Sequence, residues 1–273
     1  MRSLHFMLLG HEFTKGPGRY RLGAIYVSHA ATGEVVYEGP DAVAVPALVD
    51  ELLAGLANDR GQGPPIVRAA MAYLNLVMIH PFRDGNGRLA RILQSLVLAR
   101  EEILAPEFAS IEEYLGRHAR DYYAVLAEVG GGTWQPERGP RPWIRFCLAA
   151  HLGQARTLLR RLEEAERLWL QVEELAAQKR LPPRVVGALV FASHGHRLRR
   201  GIYRALVEED ITEATATRDL ARLVGAGLLE PIGEKRARRY LATDQLRTMR
   251  AAVRRTLPPP PDPFAAELTG SGG

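Results

Sequence analysis

Along the first half of the chain, apolar positions recur with a helical period, interrupted by one short stretch with a strand-like pattern. Leu48, Leu52, Leu53 and Leu56 share one face of a helix expected from Val45 to Asn58-Asp59-Arg60-Gly61. A second helix is expected from Pro64-Pro65 through Ala69, Tyr73, Leu76 and Ile79. Pro81 ends it, because proline lacks the amide hydrogen and restricts the residue before it. A third helix begins after Asn86-Gly87 and carries Leu89, Ile92, Leu93, Leu96 and Val97 as its buried stripe. Further helices are predicted over Ile111 to Val129 and Pro142 to about Lys179. Ahead of them all, Ala24 to Ser28 and Glu34 to Glu38 are short runs with Ile, Val and Tyr. Ala31-Thr32-Gly33 separates them and Gly39-Pro40 closes them, which predicts a β-hairpin.

Arg180-Leu181-Pro182-Pro183 breaks the pattern. Beyond it, a helix over Ile202 to Val207, a turn at Glu208 to Ile211 and a helix from Thr212 to Gly225 read as a helix-turn-helix. Thr212 serves as cap, with Leu220 and Leu223 facing inward. Strand-like pieces follow at Leu228 to Ile232 and Arg238 to Ala242, and from Leu257 the chain is Pro-rich and then Gly/Ser-rich, so 257–273 is expected to be disordered. The fold class expected is mainly α with one hairpin.

Composition supports a chain with a real core: 273 residues, 47% hydrophobic and 25% charged. No apolar run approaches the roughly 20 residues a bilayer requires, so no membrane partner is expected. Met1 to Phe13 lacks the layout of a secretory signal. Cys147 is the single cysteine, which excludes an intramolecular disulfide or a cysteine-based zinc site and fits a small buried hydrophobe in a cytoplasmic protein. The net charge of +5 is uneven. Leu181 to Arg255 holds 15 Lys+Arg against 8 Asp+Glu, which leaves the remainder slightly acidic and points to a separate task for the basic part.

The chemistry concentrates in twelve residues, His80-Pro81-Phe82-Arg83-Asp84-Gly85-Asn86-Gly87-Arg88-Leu89-Ala90-Arg91. One helix ends here and another begins, so the first amides of the new helix point outward at its positive end and form an anion site. Gly85 and Gly87 allow close approach of an anion to the backbone. Arg88 and Arg91, three residues apart, can reach the same anion, and the guanidinium fork suits phosphate oxygens. Asp84 offers a hard oxygen for Mg²⁺, His80 is the one side chain here that titrates near neutral pH, and Phe82 is read as a buried anchor for the turn. Such a set describes a phosphoryl- or nucleotidyl-transfer site, and it lacks the Gly-Lys-Ser/Thr ending of a Walker A loop.

The segment resembles the signature of the Fic-domain family, His-x-Phe-x-Asp/Glu-Gly-Asn-Gly-Arg-x-x-Arg, at every fixed position. Weaker similarity runs from about Leu4 to Leu152 and includes Gly18-Arg19-Tyr20-Arg21 before the hairpin and the Tyr122-Tyr123 pair. The resemblance implies a Fic-type helical bundle with a β-hairpin flap. It implies a protein adenylyltransferase that moves AMP from ATP to a Ser, Thr or Tyr hydroxyl of a target protein and releases pyrophosphate. In that reading His80 is the general base and Asp84 holds Mg²⁺ (or Mn²⁺). Asn86 with the amides around Gly85 and Gly87 cradles the α-phosphate, Arg88 binds the leaving phosphates, and Arg91 takes the γ-phosphate. The hairpin would align an extended target segment by strand addition. Tyr122 and Tyr123 stay open between an adenine border and the core. Two further readings remain: the same scaffold moving another nucleotide, phosphocholine or phosphate, and an ATP-sensing DNA-binding regulator.

Many family members carry an inhibitory Ser/Thr-x-x-x-Glu-Gly/Asn helix whose Glu pairs with the second motif arginine. Glu38-Gly39 comes nearest, but Glu34 stands at the Ser/Thr position and the stretch reads as strand. The chain begins near where that segment would already have ended. Arg91 is therefore expected to be unrestrained in cis, with control by a separate inhibitory protein, by oligomerisation, or by neither. The basic third resembles the winged-helix domains often attached to Fic domains, with Lys235 to Tyr240 as the wing. Thr215, Thr217, Arg218 and Arg222 would be available to DNA, while homodimerisation through the same domain stays open. The expected layout is a catalytic domain over 1–152, a connecting helix over 153–180, a winged helix over 181–250 and the tail.

Overall fold

The computed structural model describes residues 1–28, 35–58, 63–101, 110–234 and 237–259. These fall into two compact units, one through Ala155 and one from Arg156. The hairpin turn, Asp59-Arg60-Gly61, Lys235 and Arg236 of the expected wing, and most of the expected tail lie outside the described residues.

The first unit begins with α1 (Arg2–Leu9) and a 3-10 turn (Phe13–Lys15), followed by β1 (Tyr26–Ser28) and β2 (Val35–Glu38). Then come α2 (Val45–Asn58), α3 (Pro65–Ile79), α4 (Asn86–Arg100), α5 (Glu112–Arg117), α6 (Ala119–Gly130), β3 (Gly132–Thr133) and the start of α7 (Arg141–Gln178). Helix α3 is central because it is apolar around most of its circumference: Ala69, Ala70, Ala72, Tyr73, Leu74, Leu76 and Ile79 are all buried. Its alanines admit the close approach of neighbours, and its larger side chains pack with Leu89, Ala90 and Leu93 of α4, Tyr114 and Leu115 of α5, and Trp143 and Phe146 of α7. The Trp143 indole N–H donates to the Ala70 carbonyl at 2.8 Å, so this large side chain is buried without an orphaned donor. Cys147 is fully buried in the same core, where burial pushes its thiol pKa up.

The hairpin pairs Tyr26 with Glu38 and Val27 with Tyr37, and β3 adds to β2 in parallel, Tyr37 opposite Gly132. Strand β2 is therefore central, and β1 is an edge among the described residues. Two features depart from the sequence pattern. The stretch read as one helix over Ile111 to Val129 is two, because His118 leaves helical geometry at φ −115°, ψ 36°. Its ring stacks on Tyr114 and its Nδ1 lies 3.6 Å from Asp121, side-chain contacts that favour the break, and Gly116 weakens helix propensity just before it. Helix α1, for which the pattern gave no signal, buries only His5 and Leu9.

In the second unit, the rest of α7 is followed by a 3-10 turn (Pro183–Val185), α8 (Val186–Ser193), α9 (Arg200–Leu206), α10 (Glu213–Gly225), β4 (Leu229–Ile232), β5 (Arg239–Ala242) and α11 (Asp244–Thr256). Leu220 and Leu223 face inward as expected, and Thr212 caps α10 by accepting from the Thr215 amide at 3.2 Å. β4 and β5 are antiparallel, and Leu198 bridges to Tyr240 on the far side of β5. A buried carboxylate, Asp219, accepts from both Nε and Nη2 of Arg184 and from the Tyr203 hydroxyl, tying the 3-10 turn and α9 to α10. Among the described residues, no helix is long and apolar enough to cross a membrane.

Candidate active site

Helix α3 ends at His80 in the left-handed region, φ 49°, ψ 58°, with the His80 amide still bonded to the Leu76 carbonyl. Only a few per cent of non-glycine residues adopt such a backbone. The conformation turns the chain sharply into Pro81. The His80 ring is fixed from behind: Nδ1–H donates to the Val77 carbonyl at 3.2 Å, which leaves the lone pair on Nε2. Burial lowers the His80 pKa, with the Arg21 charge acting in the same direction, while the Val77 carbonyl and Asp84 oppose it. Burial thus favours the neutral imidazole, the form a proton acceptor requires.

Phe82 is fully buried, as its reading as an anchor requires, and its ring stacks on His5 at 3.7 Å between centroids. The Asn86 side chain spans the turn, accepting from the Phe82 amide (3.0 Å) and donating to the Phe82 carbonyl (2.8 Å). Its amide group is thereby committed to holding the loop. Gly85 sits at φ 80°, and a Cβ there would meet Leu9 Cδ1 at 2.9 Å, so both backbone and packing require glycine. At Gly87 a Cβ would meet only Arg91 Nη1, at an ordinary 3.7 Å. The first hydrogen bond of α4 runs from the Leu89 amide to the Gly85 carbonyl, so the amides of Asn86, Gly87 and Arg88 precede it at the positive helix end.

Asp84 lies at the rim with 41% of its side chain exposed. A hydrogen bond from Lys15 (2.7 Å), helped by the Gly85 amide, holds its carboxyl below the usual range. Arg88 stands 3.9 Å from the same carboxylate and is 40% exposed. The structure therefore gathers His80, Asp84, Gly85, Gly87, Arg88 and Arg91 about one turn. It also corrects one expectation: Arg91 is restrained within the chain, because its Nε donates to Glu112 of α5 at 2.6 Å. Tyr122 belongs to the core, its hydroxyl 2.8 Å from that of Tyr73, whereas Tyr123 is 66% exposed.

Residues 1–98 match the family model described as the Fic/DOC family. The chain carries a Fic domain. It is 35% identical over 146 residues to "Protein adenylyltransferase Fic" of Nematostella vectensis, covering 53% of this chain and 30% of that protein. It is 38% identical over 149 residues to "Protein adenylyltransferase fic-1" of Caenorhabditis briggsae, covering 53% of this chain and 25% of that protein. The chain thus spans about a quarter to a third of the length of these curated relatives. A crystal structure of a Fic family protein from Desulfovibrio desulfuricans G20 superimposes with a TM-score of 0.51 at 22% identity, covering 89% of this chain and 67% of that one, a likeness of fold.

Four residues of the site were not legible as site residues. His5 and Lys15 come from the N-terminal segment, Arg21 from the stretch before the hairpin and Glu112 from the region after α4; all meet the Fic motif through the fold. Any signal is slight. Arg21 stands among Gly and Pro residues, where a long cation is unremarkable in sequence.

Proposed function

We propose that this chain is a protein adenylyltransferase, transferring AMP from ATP to a Ser, Thr or Tyr hydroxyl of a target protein. The observation that carries the proposal is a tautomer-fixed His80, whose Nε2 has no hydrogen-bond partner among the described residues, at the turn that leads into the amides of Asn86, Gly87 and Arg88, which precede the first hydrogen bond of α4. The acceptor hydroxyl would give its proton to His80 Nε2 as its oxygen bonds to the α-phosphorus, and the bond to the bridging oxygen would break, releasing pyrophosphate. The amides of Asn86, Gly87 and Arg88 would receive the α-phosphate. The absence of any packing demand for glycine at position 87 supports close approach of a ligand there. Arg88 would bind the leaving phosphates and Arg91, once released by Glu112, the γ-phosphate. Asp84, ionised and at the rim, suits Mg²⁺, which takes one or two protein carboxylates and completes its shell with phosphates and water. When bound, the ion would neutralise phosphate charge. An acceptor segment would add to the edge of β1. A sensor that only bound ATP would have no use for the free imidazole lone pair, which disfavours the regulator reading.

The second unit is proposed to be a winged helix, with α10 as the helix presented to DNA and β4–β5 as the wing. Its support is the sequence of α8, α9, α10 and an antiparallel pair, with Thr217, Arg218 and Arg222 exposed on α10.

The deciding experiment incubates the full chain with Mg²⁺ and α-labelled ATP, alone and in lysate, beside His80→Ala and Arg91→Ala. His80→Ala should lose at least about a hundredfold in label transfer while still binding ATP, and Arg91→Ala should weaken ATP binding. Equal labelling by wild type and the His80 variant would remove the base from the scheme.

A further inference from the structure

The guanidinium of Arg21 is buried, 7% exposed, yet among the described residues no carboxylate pairs with it. Its partners are main-chain carbonyls. Nε donates to His80 at 2.9 Å, Nη1 to Gly23 at 2.8 Å, and Nη2 to Pro40 with a longer contact of 3.5 Å to Ile79, while the Arg21 amide donates to Pro81 at 3.0 Å. Ile79 and His80 are the last carbonyls of α3, the negative end of that helix, where a cation is electrostatically at home. Gly23 and Pro40 flank the two strands of the hairpin at its base, where the Gly39 amide bonds to the Ile25 carbonyl. One planar fork therefore joins the open end of α3 to both feet of the hairpin.

Two neighbouring features serve the same junction. A Cβ at Gly39 would lie 2.7 Å from Ile25 Cγ2 and 3.3 Å from Arg21 Nη2, so glycine admits the fork. The Tyr37 hydroxyl donates to the Met78 carbonyl at 2.7 Å, a second tie from β2 to the end of α3. His80 itself is in the left-handed region, a conformation that is strained for a residue with a β-carbon and persists only where its surroundings hold it. The Arg21 bond to the His80 carbonyl is part of that hold.

We propose that Arg21 is a positioning residue that fixes the His80 backbone relative to the hairpin, and so sets the distance between the base and the strand edge that presents the acceptor hydroxyl. The inference rests on the transferase reading. Displacing a reacting group by about 1 Å costs on the order of a hundredfold in rate. Loss of the fork should therefore lower turnover while the phosphate site, built from the amides of α4 and from Arg88, keeps its affinity. Lysine would keep the charge but cannot span carbonyls from both the helix end and the two hairpin feet.

The test uses the full chain with Arg21→Gln and Arg21→Lys. Three readings are taken: ATP affinity by calorimetry with Mg²⁺, label transfer from α-labelled ATP, and the His80 ring signals in ¹⁵N-histidine spectra, assigned with His80→Ala. The expected result is ATP affinity within about threefold of wild type and transfer down on the order of a hundredfold in Arg21→Gln. Arg21→Lys should stay at least about tenfold low, and the Nδ1–H tautomer signature of His80 should shift or broaden in both. Unchanged transfer and unchanged His80 signals in a folded Arg21→Gln variant would overturn the proposal. So would parallel loss of ATP affinity and transfer, which would make Arg21 a general structural residue, or full rescue by lysine, which would make its charge sufficient. If wild type bound ATP but transferred no label, the transferase reading would fall. The His80 signals would then decide alone whether Arg21 holds the base.

Discussion

At the scale of single residues, the contact with most consequence is the one between Arg91 and Glu112. The pair is short, 2.6 Å, but Glu112 is 60% exposed and Arg91 26%, so solvent screens it and breaking it costs only about 0.5–1 kcal/mol. In the proposed reaction a polyphosphate arriving at Arg91 would have to displace Glu112, and the two anions would compete for one guanidinium. Glu112→Gln should therefore bind ATP about two- to fivefold more tightly than wild type, measured by calorimetry with Mg²⁺. In the Arg91→Ala background the same substitution should change little, since the competition then has no object. Equal affinity of Glu112→Gln and wild type would mean that nucleotide and carboxylate do not share Arg91. Asn86 shows a different division of labour, its side chain holding the turn while its backbone N–H precedes the first hydrogen bond of α4.

At the scale of elements, α4 and α10 both present an N-terminus, with unlike surroundings. The start of α4 is set by the left-handed Gly85 and carries no side-chain cap, so an anion there would have no capping group to displace. The start of α10 is closed by Thr212, so an anion there would have to displace the cap. In the proposed winged helix, DNA contact by α10 would instead come from its exposed side chains. Arg218 and Arg222 lie one turn apart on that face, whereas the Thr217 hydroxyl already donates to the Glu213 carbonyl at 2.8 Å. If the winged-helix reading holds, Arg218→Ala and Arg222→Ala should each lower the slope of log affinity against log salt for duplex DNA by about one. A wild-type chain with no salt-dependent DNA affinity would assign the helix to another task.

For the molecule as a whole, acid should weaken the fold before carboxylates are involved. His151 is held neutral, its pKa lowered to about 4 by burial, and its Nε2 lies 2.9 Å from the Gln94 side-chain nitrogen, which donates to the neutral ring. In the unfolded chain a histidine takes its proton near pH 6.5. Between those two values the unfolded state binds more protons, so stability is full above about pH 6.5, falls as the pH drops, and levels off below about 4. The loss from His151 amounts to about 3 kcal/mol, with His80 adding in the same direction. Urea unfolding at pH 7, 5.5 and 4.5 should show this decline, and His151→Gln should flatten part of it. A decline of the same size in that variant would place the effect elsewhere.

Much of this was settled along the chain. The periods of apolar residues located α2, α3, α4 and α7 to within a few residues, because each buries a continuous face and Pro81 and the glycines mark the ends. The motif from His80 to Arg91 was legible because its residues are consecutive: the turn that brings His80, Asp84, Arg88 and Arg91 together is local. What the sequence could not reveal are the partners that arrive from elsewhere. Lys15 on Asp84, His5 under Phe82, Arg21 behind His80 and Glu112 on Arg91 are contacts between distant segments, brought together only by the tertiary structure. The restraint on Arg91 is not legible along the chain for that reason: a short inhibitory pattern consists of neighbours in sequence, whereas the carboxylate that meets Arg91 stands 21 residues away on α5. The chemistry of the site was thus determined locally, and its restraint and alignment by the tertiary structure, since hydrogen bonds and ion pairs depend on distance in space.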